Sequence, residues 1–304
     1  MQNIPSKVEL VEVGPRDGFQ SQTQVIPTQD KLKFILGMLN AGVKKIQATS
    51  FVSRFKVPQL ADAEELLALL PRYEGVCYSA LALNTKGIRR ALQSNVDVLE
   101  ISLSASREHS LRNTGMDLEQ ARAEALEMAR LCQENSLPAK ASIQCAFGCV
   151  LEGRVPEQRI LDMAQELVQA GVGFLNLADT TGLADPLRIT SLVGKLQKCF
   201  PDVVLGLHLH DTRGMGLVNM YCGLQMGVCS FDASIGGLGG CPFVPGAAGN
   251  IASEDCVYLC QRLGKETGID LQGLVDLTQD LQDYLGHPLP AKINPKTWQG
   301  VDDN

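Results

Sequence analysis

The sequence predicts an α/β protein that folds as a closed (β/α)8 TIM barrel with a C-terminal helical extension. Roughly eight short β-rich runs alternate with about as many amphipathic helical segments, which is typical of a parallel sheet. The chain has 304 residues, and barrels of this class often reach ~250 residues as a single domain. The first strand is not followed by G-x-G-x-x-G, which disfavours the dinucleotide-binding form of an open sheet.

The predicted strands are runs rich in aliphatic and β-branched residues, bounded by turn residues. They cover residues 8–13, 44–49, 76–83, 98–104, 140–147, 173–179, 203–210 and 230–235. The predicted helices carry apolar residues at helical spacing. They cover residues 28–41, 58–70, 117–132, 156–171, 185–198, 212–227 and 252–264.

One of these helices carries a signal at each end. In 156–171, Pro156 suits the first helical turn, and Gly171 suits the position just past the last turn. The predicted buried face of this helix consists of Leu161, Ala164, Leu167 and Val168.

The chain continues past the eighth strand and helix. Residues 268–286 predict one more helix, and the proline-rich segment HPLPAKINP predicts an irregular tail. The sequence contains no obvious linker, short repeat or low-complexity tract. We therefore expect residues 1–304 to form a single catalytic barrel domain, with residues 268–304 as an extension within it.

The composition is that of an ordinary folded protein, with 45% hydrophobic and 20% charged residues. The net charge of −7, without any lysine- or arginine-rich run, disfavours nucleic acid and anionic membranes as partners. We find no signal-peptide pattern and no apolar run near the ~20 residues of a membrane helix. The ten cysteines lack the spacing of a disulfide scaffold, so we expect a cytoplasmic protein.

Several polar residues stand at the ends of predicted strands, where packing alone does not require them. Barrel enzymes carry their chemistry at the C-terminal ends of the strands, so these residues are candidates for an active site. They are Arg16 and Asp17 after the first strand, Asp179 and Thr180 after the sixth, His208 and His210 at the end of the seventh, and Cys241 and Asn250 after the eighth.

The two histidines are the sharpest local signal. His208 and His210 are two residues apart on a strand and therefore point to the same face. The alternative is a pair of structural histidines. As ligands they would be joined by Asp17, a charged oxygen donor, and Asn250, a neutral one. This mixed set suits Mg²⁺ or Mn²⁺, with Zn²⁺ as an alternative because imidazole binds it well.

The segment GGLGGCPFVPGAAGN (236–250) places one thiol, Cys241, on a loop rich in glycine and proline. Glycine lets the backbone approach a ligand closely, which suits a lid or ligand-contacting loop, and a surface turn with an incidental cysteine is the equal alternative. A nearby cation could bring the Cys241 pKa close to neutral and make the thiol an acid or base. The charge of Arg16 suits an oxyanion or a carboxylate, although a surface ion pair with Asp17 is the alternative.

Five segments together resemble the 3-hydroxy-3-methylglutaryl-CoA lyase family, which is related to the Claisen-type synthases. They are VEVGPRDGFQ, ATSFVS, ADTTG, HLHDTRGMGLVN and GGLGGCPFVPGAAGNIASED, within residues 5–268. The resemblance implies a TIM barrel and a divalent cation held by Asp17, His208, His210 and Asn250. It also implies that Arg16 stabilises a thioester enolate and that Cys241 moves the proton.

The implied activity is metal-dependent retro-Claisen cleavage of a 3-hydroxyacyl-CoA, with 3-hydroxy-3-methylglutaryl-CoA giving acetyl-CoA and acetoacetate. The alternatives are a lyase for a methylmalyl- or citramalyl-like thioester, a Claisen-type synthase, and a barrel that binds CoA without turnover. Asp179 is a candidate for relaying the hydroxyl proton or orienting a ligand. A homodimer is an expectation drawn only from how common dimers are among such barrels. The predicted substrate-binding residues are Gln20, Ser50, Asn113 and Thr180.

Three positions depart from the resembled family. Gln47, which we count among the catalytic candidates, replaces the glutamate of ETTSF, Asn176 replaces a serine, and Thr23 replaces a basic residue. From the lost charge at Gln47 we hypothesise weak activity on 3-hydroxy-3-methylglutaryl-CoA and better activity on a shorter malyl-type thioester. His109 lies in an S-x-S-x-x-H run that the synthases share, and it either faces the pocket or is an ordinary polar loop residue.

Overall fold

The computed structural model describes residues 4–240 and 248–298 of the chain. Eight parallel strands form a closed barrel in chain order, and the last strand pairs with the first. The strands are β1 (Glu9–Glu12), β2 (Lys45–Ser50), β3 (Cys77–Ala82), β4 (Val98–Ser104), β5 (Ala139–Gln144), β6 (Phe174–Ala178), β7 (Val204–His208) and β8 (Ser230–Ala233). The predicted TIM barrel is confirmed, and each predicted strand has its counterpart.

The helices of the described residues pack around the barrel. They are α1 (Thr28–Asn40), α2 (Ala63–Leu69), α3 (Thr85–Ala91), α4 (Arg107–Thr114), α5 (Leu118–Glu134), α6 (Glu157–Gln169), α7 (Pro186–Cys199), α8 (Gly216–Gln225), α9 (Ser253–Arg262) and α10 (Leu271–Leu285). Among them, no helix combines the length and the apolar composition needed to cross a bilayer.

The sequence did not predict α3 or α4, because neither displays a clear apolar stripe. The seven residues of α3 include Gly87, a weak helix former, and its start is capped by Asn84, whose side chain accepts from the Gly87 N–H at 3.0 Å. The α4 sequence REHSLRNT is almost entirely polar, and its start is capped by Ser106. Capping rather than amphipathic periodicity marks both helices.

The end signals of α6 are confirmed, but its buried face is rotated from the predicted one. Pro156 is the N-cap residue, and Gly171 follows the helix with a φ of 88°. The predicted Leu161 and Val168 are only half-buried. Successive residues point about 100° apart, so a face displaced by one residue changes its members. The fully buried residues are Ile160, Met163, Ala164 and Leu167.

The C-terminal extension lies against the barrel. Helix α10 packs on α1, with the Phe34 and Tyr284 rings edge to face at 5.4 Å. The tail then returns to the segment after β8, where the Ala291 N–H donates to the Gly236 carbonyl at 3.1 Å. The N–H groups of Lys292 and Ile293 donate to the Asp255 carboxylate at 2.8–3.1 Å. The extension therefore supports the start of α9 and the base of the loop that follows β8.

The interior of the barrel is unusually polar below the strand ends, since TIM barrels usually fill this space with branched apolar side chains. Side chains from alternate strands meet there: Asn176 of β6 donates to Asp232 of β8 at 2.7 Å, across β7. Gly206 of β7 leaves room for these side chains, because a Cβ at this position would lie 2.8 Å from the Phe174 ring and 3.2 Å from Asn176 Oδ1. The polar residues that support the site occupy this interior.

Candidate active site

Arg16 and Asp17 lie on one wide helical turn, Gly14–Gly18, directly after β1. The turn closes on the Val13 carbonyl, which accepts from the Asp17 N–H at 2.7 Å. The Arg16 guanidinium pairs with the Asp17 carboxylate, and its Nε also donates to the Gln47 side-chain oxygen. Because Arg16 is 8% exposed, this is a nearly buried ion pair and not the surface pair considered from the sequence.

His208 and His210 face the same point, as the sequence predicted, although β7 ends at His208. Their Nε2 atoms are 3.1 Å apart, and both residues are buried. The Nδ1 of His208 lies 3.0 Å from Asp232 Oδ2. An ionised carboxylate can only accept, so Nδ1 carries a proton and the Nε2 lone pair is available for a cation once no second proton is bound.

Asn250 completes the group from the segment after β8. Its Nδ2 donates to Asp17 Oδ2 at 2.8 Å and to the Leu238 carbonyl at 2.9 Å, whereas its Oδ1 has no hydrogen-bond partner. A buried amide oxygen without a partner is unfavourable unless a cation or water uses it. Gly239 has a φ of 136°, and a Cβ there would lie 2.5 Å from Asn250 Nδ2. Glycine at 239 therefore permits the contact between Asn250 and Asp17.

The electrostatics of the group suit a divalent cation. Burial would raise the pKa of Asp17, but the charges of Arg16, His208 and His210 outweigh it and hold the pKa at about 2. Burial, reinforced by His208, lowers the pKa of His210 to about 3. Ligand atoms of Asp17, His208 and His210 all lie within 4.8 Å of one another. An anionic oxygen, a neutral amide oxygen and two imidazoles fit Mg²⁺ or Mn²⁺, and Zn²⁺ as the alternative.

Asp179 lies beside this group, after β6, and has one free carboxylate oxygen. Its backbone N–H donates to the His208 carbonyl at 2.8 Å. Oδ1 accepts from the N–H groups of Leu183 and Ala184 at 2.7 and 3.0 Å, whereas Oδ2 is buried without a partner. Burial raises the pKa of Asp179 to about 6. This carboxylate is thus rigidly held and available as a base near neutral pH.

The predicted substrate-binding residues end a strand or lie in segments that follow strands. Ser50 is the last residue of β2, and its buried hydroxyl has no partner. The Thr180 hydroxyl accepts from the Cys145 N–H at 2.9 Å, and Asn113 of α4 reaches Gln144 of β5 at 3.5 Å. Gln20 is half-buried just after the turn that carries Arg16. Cys241 lies outside the described residues.

His109 is a buried helical residue, so its interpretation as an ordinary polar loop residue is wrong. It belongs to α4 and is 2% exposed, with Nδ1 3.1 Å from the Ser104 hydroxyl. Burial lowers its pKa to about 4, which keeps the ring neutral at physiological pH.

Sequence reasoning missed three charged residues of the barrel interior. Asp232 accepts from His208 and Asn176, and Glu100 pairs with Lys140 at 2.7 Å. Each of the three lies within a strand whose other residues predict burial. A charged residue in such a strand was the available signal, because it requires a buried partner.

Two buried carboxylates below the site hold its backbone in place. Glu12 accepts from the N–H groups of Gly14 and Ile235 at 2.7 and 2.9 Å and from the Ser253 hydroxyl at 2.5 Å. Glu254 accepts from the Gly236 N–H at 3.0 Å and from the Thr278 hydroxyl. Burial raises the pKa of Glu12 to about 7 and that of Glu254 to about 8. Glu12 thereby joins the turn carrying Arg16 to the segment after β8.

We expect Glu12→Gln to stabilise the protein at alkaline pH and to have little effect at acidic pH. Below pH 4.5, Glu12 is protonated in both the folded and the unfolded protein. Between pH 4.5 and about 7, Glu12 ionises only in the unfolded chain, so the free energy of unfolding falls as the pH rises. Glutamine mimics the protonated form and should remove up to about 3 kcal/mol of this loss. Thermal unfolding of the variant and the wild type between pH 4 and 9 measures this difference in stability. Glu65→Gln, on the exposed face of α2, is the control, and a pH-independent effect of Glu12→Gln would contradict the prediction.

Comparison with known proteins gives one consistent family. The HMGL-like family model matches residues 7–281. The hydroxymethylglutaryl-CoA lyase YngG of Bacillus subtilis is 35% identical over 288 residues, which cover 95% of this chain and 96% of that protein. The 3-hydroxy-3-isohexenylglutaryl-CoA/hydroxy-methylglutaryl-CoA lyase of Pseudomonas aeruginosa is 37% identical over 284 residues, covering 93% of this chain and 95% of that protein.

A solved structure agrees closely with the fold. The HMG-CoA lyase of Acinetobacter baumannii, in complex with coenzyme A and 3-methylmalate, superposes with a TM-score of 0.93 at 36% identity. The match covers 98% of this chain and 97% of that chain. The similarity thus extends over the barrel, the strand ends and the C-terminal extension.

Proposed function

Because this chain belongs to the HMGL-like family, we propose that it cleaves 3-hydroxy-3-methylglutaryl-CoA to acetyl-CoA and acetoacetate. The family resemblance seen in the motifs is confirmed, and the chain is a carbon–carbon lyase. The observation that best supports the reaction is the convergence of the cation-ligand group, Asp17, His208, His210 and Asn250, with the Arg16 guanidinium. Ligands for a cation that would activate the substrate hydroxyl therefore lie beside a guanidinium that can stabilise the enolate.

The cation-ligand group fits a divalent ion, with Mg²⁺ or Mn²⁺ as the proposed cofactor. When bound, such an ion lowers the pKa of the substrate hydroxyl and stabilises the alkoxide. The unpartnered Asn250 Oδ1 supports this assignment, as does the orientation of His208 by Asp232.

The residues of the chain supply the proton transfers and the charge stabilisation. Asp179 accepts the proton of the 3-hydroxyl through its free Oδ2. The C2–C3 bond then breaks, C3 becomes the acetoacetate carbonyl, and the electron pair moves into the thioester enolate. Arg16 stabilises the enolate oxygen. Cys241 gives a proton to C2, which becomes the methyl group of acetyl-CoA, so one proton is removed and one is returned.

The same proposal covers the substrate contacts, the compartment and the assembly of the enzyme. Ser50, with its unpartnered buried hydroxyl, and the residues Gln20, Asn113 and Thr180 contact the acyl-CoA. All nine described cysteines are unpaired, which suits a reducing compartment such as the cytoplasm. A single catalytic domain and a homodimer are the proposed organisation and assembly.

A panel of thioesters tests this function against its alternatives. We expect cleavage of 3-hydroxy-3-methylglutaryl-CoA to require the divalent cation and to yield acetyl-CoA and acetoacetate by mass spectrometry. The panel adds methylmalyl-CoA, citramalyl-CoA and a 3-hydroxy-3-isohexenylglutaryl thioester, since the P. aeruginosa relative is named for that acyl group. Condensation of acetyl-CoA with acetoacetate is assayed on the same sample. Coenzyme A binding without cleavage of any thioester would exclude a lyase.

Cys241→Ala should lower kcat by at least ~10² while leaving coenzyme A binding nearly unchanged, since the thiol returns the proton to the enolate. Steady-state kinetics and calorimetric titration of coenzyme A measure the two quantities. Cys256→Ala is the matched control, because Cys256 is buried in α9 and its loss should change stability and not chemistry. A near-wild-type kcat in Cys241→Ala would make this thiol a bystander.

A further inference from the structure

A continuous row of polar side chains crosses the barrel from the site to its far wall. Arg16 Nε donates to the side-chain oxygen of Gln47 on β2, and Gln47 Nε2 donates to the Glu100 carboxylate on β4 at 2.8 Å. Lys140 on β5 pairs with the same Glu100 oxygen at 2.7 Å. Gln47, Glu100 and Lys140 are 0%, 1% and 7% exposed, so the row is shielded from solvent. We call these four residues the Arg16–Lys140 row.

The donor and acceptor chemistry of the row fixes the orientation of Gln47. A guanidinium can only donate, and an ionised carboxylate can only accept. The amide between Arg16 and Glu100 must therefore turn its oxygen towards Arg16 and its NH2 towards Glu100. Without the carboxylate, Arg16 alone would oppose rotation of the amide by half a turn, and the NH2 end would lose its acceptor. An inverted amide would present hydrogens to the Arg16 Nε–H and displace the guanidinium.

We propose that Glu100 is a positioning residue for the cleavage reaction, holding the Arg16 guanidinium through Gln47 while Lys140 holds Glu100. The inference rests on the proposed function, because it assigns Arg16 the enolate oxygen. Glu100 does not touch the substrate and acts only through the row. Gln47 and Glu100 work as a pair: a glutamate at 47 would place two carboxylates in direct contact, and repulsion would disorder both.

This arrangement changes the physical basis for a substrate preference at Gln47. Both ends of its amide are engaged within the row, and Glu100 supplies a carboxylate 2.8 Å away. Although Gln47 is neutral, Glu100 therefore keeps a negative charge close to this wall. The shorter malyl-type thioester is no longer favoured by the loss of charge alone.

An exchange of the two side chains tests the pair. Glu100→Gln replaces the charged oxygen that accepts from Gln47 and pairs with Lys140 by a weaker, neutral acceptor, and Gln47→Glu creates the contact between two carboxylates. In the double variant Gln47→Glu/Glu100→Gln, the new carboxylate accepts from Arg16, and the new amide can donate to it and accept from Lys140. The total charge of the row is then that of the wild type.

Each variant is assayed as the Mg²⁺-loaded enzyme for kcat and KM on the thioester that the wild type cleaves best. Exchange of the methyl protons of added acetyl-CoA in D2O, measured without any thioester to cleave, reports enolate formation separately from C–C cleavage. We expect each single variant to lower kcat and deuterium incorporation about 10-fold or more with KM changed less than ~3-fold. The double variant should recover most of both losses, which a merely structural role would not predict.

Thermal unfolding of every variant confirms that the barrel is folded. Glu9→Gln is the control, because Glu9 faces Lys45 at 3.9 Å at the opposite end of the strands and should leave kcat unchanged. Unaltered kcat in Glu100→Gln, a loss confined to KM, or a double variant no better than the product of the single effects would overturn the inference alone. A wild type inert towards every thioester would overturn the proposed function, and this inference with it.

Discussion

His208→Ala is expected to abolish thioester cleavage and the retention of a divalent cation while the barrel remains folded. The variant removes one imidazole nitrogen and also removes one of the hydrogen-bond partners of Asp232, whereas Asn176 remains. A bound cation contributes several kcal/mol to such a reaction, so kcat should fall by roughly 10³ or more. Steady-state kinetics and Mn²⁺ titration on the same samples measure the two losses, and circular dichroism reports the fold.

The matched control is His287→Ala, which removes an exposed histidine from the C-terminal tail. It should retain both activity and Mn²⁺ binding. A second measurement uses pH: Asp232 and Asp17 outweigh burial and raise the pKa of His208, so protonation should compete with the cation and weaken Mn²⁺ binding as the pH falls. Full activity after exhaustive chelation, or a His208→Ala variant that binds Mn²⁺ like the wild type, would exclude the cation-ligand group.

The barrel could be predicted because its information is local. Each strand and most helices carry an apolar pattern that is readable within a short window, and a closed parallel sheet satisfies all of them together. Helix α4 was not predicted because its sequence is polar. The helix relies on the Ser106 cap and on contacts made by His109, which an apolar periodicity does not reveal. The face of α6 was displaced because an apolar stripe of four residues fixes its angle only coarsely.

The residues of the candidate site likewise divide into those that the sequence could predict and those that it could not. Arg16, Asp17 and Asn250 follow strands and His208 ends one, so the rule that barrel chemistry lies at strand ends was enough to bring them together. Asp232 and Glu100 lie within strands, and their roles depend on which non-adjacent strands meet inside the closed barrel. Only the three-dimensional register reveals that contact.

Asp179→Asn is expected to lower kcat by ~10² to 10⁴, the range for loss of general base catalysis, with little change in stability. An asparagine oxygen can still accept from the Leu183 and Ala184 N–H groups, as Asp179 Oδ1 does at 2.7 and 3.0 Å. Its NH2 then occupies the place of Oδ2 and cannot take the 3-hydroxyl proton. The change therefore preserves the backbone of the strand end and removes only the basic oxygen.

The pH dependence provides the sharper measurement. Burial raises the pKa of Asp179 to about 6, and a bound cation lowers the pKa of a neighbouring carboxyl. The base must be ionised to act, so wild-type kcat should rise with pH through a value at or below about 6, and the residual rate of Asp179→Asn should lack this rise. Asp185→Asn is the control, because Asp185 caps α7 and asparagine caps a helix equally well. If the acidic limb persists in Asp179→Asn, another group removes the hydroxyl proton, and Asp179 serves only to shape the end of β6.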